Sequence, residues 1–201
     1  MIVGLLLAAG RGARFGGDKL LAELAGRPVI HWSAATVGAE VDALYVVVPA
    51  GDVARRVAVA SLAAVIVEHP RPGEGMASSI RQGVAALPVN VDAVVVALAD
   101  QPLVSREVVR RLCARWRVGG ASAVAPAYLD GRGHPVLFGR STFAALRALE
   151  GDGGARVVLD GLGGETALVP VDATMPADVD TPDALRAVSA TLGETPPNSS
   201  G

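Results

Sequence analysis

The segment Leu7-Ala8-Ala9-Gly10-Arg11-Gly12-Ala13-Arg14-Phe15-Gly16-Gly17-Asp18-Lys19 sets four glycines among three cations. Glycines let backbone N–H groups approach an anion with no Cβ in the way. Arg11, Arg14 and Lys19 add positive charge suited to a triphosphate. Two common phosphate loops fit badly. A dinucleotide fingerprint needs G-x-G-x-x-G and an acid after the second strand. Here the third glycine falls one residue late (Gly10, Gly12, Gly16), and Val48 runs into Pro49-Ala50-Gly51. A P-loop needs Gly-Lys-Ser/Thr, but Lys19 stands between Asp18 and Leu20. A turn without a ligand leaves three cations in nine residues unexplained.

Three more segments carry groups of use to such chemistry. Asp100, in Asp100-Gln101-Pro102, follows a strongly apolar run. A carboxylate at the end of a buried strand suits Mg²⁺, which takes one or two carboxylates and fills its shell with water and substrate oxygens. A capping Asp is the plain alternative. In Asp178-Val179-Asp180-Thr181-Pro182 the two carboxylates alternate along an extended stretch and so point the same way. Asp180 is the candidate for the second metal carboxylate, Asp178 is its substitute, and Thr181 suits a helix cap. In Glu74-Gly75-Met76-Ala77-Ser78-Ser79, Gly75 permits close approach. Ser78 and Ser79 there offer hydroxyls and free N–H groups at a helix N-terminus. A simple Ser cap is the alternative.

The elements that must hold these groups alternate along the chain. Apolar or β-branched runs predict strands at residues 2–7, 44–48, 64–67 and 93–98, with shorter ones at 122–125, 135–138 and 166–169. Helices are predicted at 28–39, after a cap at Asp52, at 76–87, after a cap at Ser105, at 142–149, 155–159 and 182–192. Apolar strands alternating with helices indicate a mostly parallel, doubly wound α/β sheet with a small mixed β extension in the C-terminal half. One domain over residues 1–193 and a disordered Pro/Ser-rich tail over 194–201 are expected, with no linker between.

Composition narrows the class. The 201 residues carry 18 Lys+Arg against 20 Asp+Glu, a net charge of −2, so no broad basic field exists for nucleic acid. The run Arg106, Arg110, Arg111, Arg115 and Arg117 on one helix reads as a solvated face. Residues 2–9 are too short to span a bilayer and follow no basic residues, so no membrane partner and a cytoplasmic location are expected. One cysteine, Cys113, excludes an internal disulfide and sits at helical spacing in an apolar face, as a buried hydrophobe would. His31 and His69 have no chemical setting and read as structural. Glycine is in excess, 24 residues where about 7% is usual, and fourteen of them cluster at 10–17, 73–75, 131–133 and 151–164. The excess therefore reads mainly as backbone cleared for ligands.

Taken together the motifs resemble the MobA-like nucleotidyltransferases. LAAGRGARFGGDK resembles the family signature L-A-[AG]-G-x-x-x-R-[MF]-G-x-x-K, and Ala9 resembles the branch that transfers cytidylyl to molybdenum cofactor. Residues 74–83 resemble the EGM-S-S element of the nucleotide base pocket, and Asp178–Pro182 the D-[IV]-D-T-P element. Gly131-Arg132-Gly133-His134-Pro135-Val136-Leu137-Phe138 resembles the G-H-P-x-x-F segment of the cytidylyl branch, and residues 151–156 a G-D-x-G-A-R segment. The likeness covers residues 2–185.

The resemblance implies a site. Leu7, Ala8, Ala9, Gly10, Arg11, Gly12, Lys19, Gly75, Ser78 and Ser79 would bind the nucleotide, with Arg14, Lys19 and Asp100 catalytic. Asp100 and Asp180 would hold Mg²⁺, the position of Asp100 carrying the metal in the family. Gly133, His134, Pro135 and Arg156 would bind the acceptor, although Arg156 also suits a plain helix start. The implied partners are an NTP, CTP favoured, a molybdopterin-type acceptor and a transient contact with a molybdoenzyme or its chaperone. The alternatives are guanylyl transfer to the same acceptor, transfer to a sugar or alditol phosphate, and an inactive nucleotide-binding regulatory module. A dinucleotide-binding oxidoreductase is disfavoured by Pro49.

Overall fold

Ile2–Leu7 (β1) is buried at every position, which is the pattern of a strand covered on both faces. In this computed structural model, which describes residues 1–10, 12, 15–151 and 153–194, that strand lies inside a sheet. Two short strands, Glu23–Leu24 (β2) and Arg27–Pro28 (β3), follow and lead into helix Val29–Gly38 (α1). Next come Ala43–Pro49 (β4), Val53–Val59 (α2), Val65–His69 (β5), Met76–Ala85 (α3), Ala93–Leu98 (β6) and Arg106–Arg117 (α4). The second half holds Ala123–Tyr128 (β7), Gly131–Arg132 (β8), Val136–Gly139 (β9), Phe143–Arg147 (α5), Arg156–Leu162 (α6), Thr166–Pro170 (β10) and Pro182–Glu194 (α7).

The main sheet runs β10-β7-β9-β6-β1-β4-β5, with β8 paired to β7. Pairs β6–β1, β1–β4, β4–β5 and β10–β7 are parallel, whereas β9 runs antiparallel to both β6 and β7. The expected doubly wound α/β sheet with a mixed extension is therefore present. Alternation along each strand sends side chains to two cores. Ile2, Leu6, Val46, Val48, Val95 and Ala97 pack with α1 and α4 on one face. Val3, Leu5, Val47, Val94 and Val96 pack with α3, α5 and α6 on the other. Two glycines let helices come close to β1: a Cβ at Gly4 would fall 2.6 Å from Val37 Cγ1, and one at Gly83 2.5 Å from Leu5 Cδ1. Some of the glycine excess thus serves packing between helix and sheet, a use the sequence reading did not assign.

The caps expected at Asp52 and Ser105 form: Asp52 accepts the Arg55 N–H at 2.9 Å and Ser105 the Glu107 N–H at 3.2 Å. Pro28 stands at the N-cap of α1, one residue earlier than a first-turn position. The β2–β3 hairpin is an addition to the predicted elements. Its two turn residues, Ala25 and Gly26, both have positive φ (48° and 79°), the geometry of a tight turn that Ala seldom marks in sequence. Cys113 is buried as expected, and its burial pushes the thiol pKa up. Helix α7 reaches Glu194, one residue into the stretch expected as tail, and residues 195–201 lie outside the described residues. Among the described residues no helix is long and apolar enough to cross a membrane.

Candidate active site

Parallel strands deliver their following loops to one edge of the sheet, and ligand sites form there. β1 and β6 are neighbours in register, Leu7 opposite Leu98, so the glycine segment after β1 and Asp100 after β6 leave the sheet side by side. Because β9 runs the other way, its start lies at this same edge: Val136 pairs with Val96, which brings His134 close to the end of β6. The last contributor is the segment before α7. The Val179 N–H donates to the Asp100 carbonyl at 2.8 Å and ties residues 178–180 to the loop after β6.

At the centre stands Lys19. Its Nζ lies 2.5 Å from Asp100 Oδ2 and 2.6 Å from Asp180 Oδ1. The Lys19 side chain is buried, and burial alone would lower its pKa. The hydrogen bonds and charges of the two aspartates outweigh that, so the ammonium is held above its ordinary value. Gly12, with φ +56°, lies against the lysine stem, where a Cβ would come 3.1 Å from Lys19 Cγ. Asp178 points elsewhere than Asp180, since its Oδ1 accepts from Gln101 Nε2 at 2.7 Å. Partial desolvation and the charges of Asp100 and Asp180 raise the Asp178 carboxyl, against the opposing pull of the Gln101 bond and Lys19.

A second group stands at the start of α3, which follows the parallel strand β5 out of this edge of the sheet. Gly75 takes φ 85° and ψ 178°, a backbone conformation open to glycine and strained for other residues, and serves as N-cap without a side-chain bond. Ser78 and Ser79 are buried in the first turn. The Ser78 hydroxyl donates to the Gly75 carbonyl at 2.8 Å. His69 Nδ1 accepts the Arg71 N–H at 3.3 Å, which leaves Nε2–H to donate to Ser78 Oγ at 2.8 Å. This chain requires neutral His69, and burial lowers its pKa, with the charges of Arg71 and Arg81 in the same direction and Glu74 against.

A third group, Gly133, His134 and Arg156, lines a cavity of about 280 Å³ together with Asp130, Arg132 and Met175. Pro135, in cis linkage to His134, is buried beside it and does not line it. The His134 Nδ1 is buried without a partner among the described residues, and desolvation lowers the ring's pKa, against the opposing pull of the Val96 backbone and of Asp178 and Asp100. Arg156 is exposed and 3.6 Å from Asp160.

The structure thus brings together Lys19, Asp100 and Asp180, and sets Gly75, Ser78 and Ser79 in a second group and Gly133, His134 and Arg156 in a third. Leu7, Ala8 and Ala9 are buried with their side chains in the two cores, and the Ala8 N–H continues the ladder to Val47 at 2.9 Å. Gly10 is exposed just beyond them. Arg11 and Arg14 lie outside the described residues, as does Asp152. Three further residues hold members of these groups or their neighbours. His69 is structural, as expected, and the group it holds is Ser78. Gln101 directly follows Asp100 and holds Asp178. Arg55, on α2, contacts Gly10 and Asp18, and a buried arginine carries no local sequence mark.

Two aspartate oxygens converging on a single ammonium form a donor set that fits Mg²⁺, since a cation already stands between them. No group of three or more His, Cys, Asp or Glu able to hold a metal occurs among the described residues. Further ligands for such an ion would have to be water or substrate oxygens, as Mg²⁺ prefers.

Comparison with known proteins bears on this edge of the sheet. The molybdenum cofactor guanylyltransferase of Cereibacter sphaeroides is 39% identical over 138 residues, which cover 67% of this chain and 66% of that protein. The nicotine blue oxidoreductase of Paenarthrobacter nicotinovorans is 35% identical over 167 residues, 79% of this chain and 81% of its own. Among solved structures, Rv0371C of Mycobacterium tuberculosis H37Rv in complex with manganese superposes with a TM-score of 0.80 at 29% identity, covering 94% of this chain and 98% of that one. Residues 4–168 match the model of the MobA-like NTP transferase domain. That match takes in most of β1 with its glycine segment, Asp100 and β9, and with it the chain belongs to the MobA-like NTP transferase family.

Proposed function

We propose that the protein transfers a nucleoside monophosphate, CMP from CTP in the first reading, to the terminal phosphate of a molybdopterin-type acceptor. The observation that carries this is the convergence of Lys19, Asp100 and Asp180 at the sheet edge to which the start of β9 also brings His134. In the reaction an acceptor phosphate oxygen bonds to the α-phosphorus as the bond from that phosphorus to the bridging oxygen breaks, and pyrophosphate leaves. No protein base is needed, because the attacking phosphate is already anionic at neutral pH.

The chain's task is to bring two anions together and neutralise them. Lys19 carries a fixed positive charge to the phosphates, alongside Arg11 and Arg14 and the N–H groups of Gly10 and Gly12. Gly75, Ser78 and Ser79 bound the nucleotide base, with Ser78 oriented by His69. Gly133, His134 and Arg156 form the acceptor side, with Pro135 buried behind them, and the Arg156 guanidinium suits a phosphate. Asp100 and Asp180 would hold Mg²⁺, which when bound neutralises phosphate charge. In this reading the protein works in the cytoplasm and passes its product to a molybdoenzyme or that enzyme's chaperone.

The guanylyltransferase relative favours a second reading, in which GTP replaces CTP at the same site. Both are tested by incubating the protein with Mg²⁺, isolated molybdenum cofactor and each NTP separately, and measuring pyrophosphate. Release with CTP supports the first reading, and release with GTP alone replaces it by the second. Release only with a sugar or alditol phosphate as acceptor moves the acceptor assignment. The oxidoreductase relative calls for one control: NAD(P) binding with no pyrophosphate from any NTP would overturn the transfer reading.

A further inference from the structure

One guanidinium touches both ends of the glycine segment. Arg55 lies one turn into α2 with its side chain 6% exposed, and its Nη2 is 3.1 Å from the Gly10 carbonyl and 2.9 Å from Asp18 Oδ2. Its Nη1 is 2.9 Å from Asp52 Oδ2, the residue that caps the same helix. Asp18 is fixed in turn, since its Oδ1 accepts the Leu20 N–H at 3.1 Å. Asp18 immediately precedes Lys19, so the residue that holds Asp18 also fixes where the lysine leaves the backbone.

We propose that Arg55 is a positioning residue for nucleotide binding, fixing Asp18, and with it the placement of Lys19, relative to Gly10 at the end of β1. The inference rests on the transfer reading above for its kinetic consequences alone. The Asp52 cap already satisfies the start of α2 through the Arg55 N–H, so the cap by itself has no need of the guanidinium. The outward contacts of that guanidinium, beyond its own helix, go to the two ends of the loop. The Nη2 N–H groups lie in the guanidinium plane at fixed angles, so they hold the Gly10 carbonyl and the Asp18 carboxylate in one set relation while Nη1 stays on Asp52. A lysine whose neighbour is fixed samples fewer positions, and a charged group that meets a phosphate gains from being set before the ligand arrives.

The test uses Arg55→Met, Arg55→Lys and Asp18→Asn in the full chain. Hydrogen exchange without nucleotide reads the loop directly: Arg55→Met should speed exchange of the Phe15–Leu20 amides at least tenfold while the β1 and β6 amides keep their protection. Unchanged exchange at 15–20 overturns the proposal whether or not the protein turns over. In the pyrophosphate assay, Arg55→Met should raise the KM for the nucleotide about tenfold and leave the acceptor KM within about twofold. Arg55→Lys should recover part of that loss, and Asp18→Asn combined with Arg55→Met should cost little beyond Arg55→Met alone. A fall in melting temperature with nucleotide KM unchanged would show a purely structural role and overturn the proposal. No pyrophosphate from the wild-type protein would instead count against the transfer reading, with the exchange experiment still deciding the role of Arg55.

Discussion

The Lys19 ammonium meets the Asp100 carboxylate at 2.5 Å, and the same ammonium holds Asp180 at 2.6 Å. The lysine therefore stands where a divalent ion held by these two carboxylates would have to bind. Lysine and such an ion would compete for the same oxygens. Lys19→Met should bind Mn²⁺ more tightly in the absence of nucleotide, by roughly tenfold or more, because two carboxylates lose a positive neighbour. Turnover should fall at least a hundredfold in the same variant. Titration calorimetry or the Mn²⁺ resonance signal measures the first, and weaker Mn²⁺ binding would contradict the shared position.

Asp178 and Asp180 are two residues apart yet make different contacts. Asp180 Oδ1 meets Lys19, whereas Asp178 Oδ1 is held by the Gln101 amide. Asp180→Asn should lower turnover by about two orders of magnitude or more, the range seen for lost electrostatic stabilisation. Asp178→Asn should change it less than about tenfold. Equal losses in a steady-state pyrophosphate assay would mean that both carboxylates serve the reaction.

His69 gives stability a pH dependence of known sign. Its folded pKa lies below the ordinary 6.5, chiefly through burial, so the unfolded chain binds the proton more readily. The contribution is fully present above about pH 6.5 and is lost as pH falls toward and through the lowered folded value. Urea unfolding at pH 7.5 and 5.5 should show a smaller loss of stability on acidification for His69→Gln than for wild type. An identical loss in the two proteins would remove His69 as a source.

Gly83 sits on α3 where a Cβ would lie 2.5 Å from Leu5 Cδ1 and 2.7 Å from Leu5 Cδ2. Leu5 is fully buried, so it has no free space to yield. Gly83→Ala should cost about 1–3 kcal/mol, the usual range for overpacking a core. Chemical denaturation checks this, and a variant as stable as wild type would show that α3 can move away from β1.

Much of this architecture was legible because it rests on local pattern. The apolar runs of β1 and β6 match the predicted limits, and Asp52 and Ser105 cap the helices they precede. The meeting of Lys19 with Asp100 and Asp180 is harder to read, since residue type alone offers the lysine to phosphate and the aspartates to a metal, and says nothing of their pairing with one another. The reversal of β9 was also out of reach: Val136–Gly139 is apolar throughout, as either strand direction would be. The contacts of His69 and Arg55 escaped for a related reason. Each residue acts through a partner from another element, and nothing in its own neighbourhood of sequence marks that partner.

Lys19 lies 81 positions from Asp100 and 161 from Asp180 along the chain. Contacts at such separations form late, because the chain entropy of closing large loops opposes them until most of the sheet exists. The three groups can meet only after β1 and β6 have paired and residues 178–180 have docked onto the Asp100 carbonyl. A growing polypeptide on the ribosome would thus pair β1 with β6 before the two carboxylates could share one cation, because Asp180 is the last of the three groups to be made.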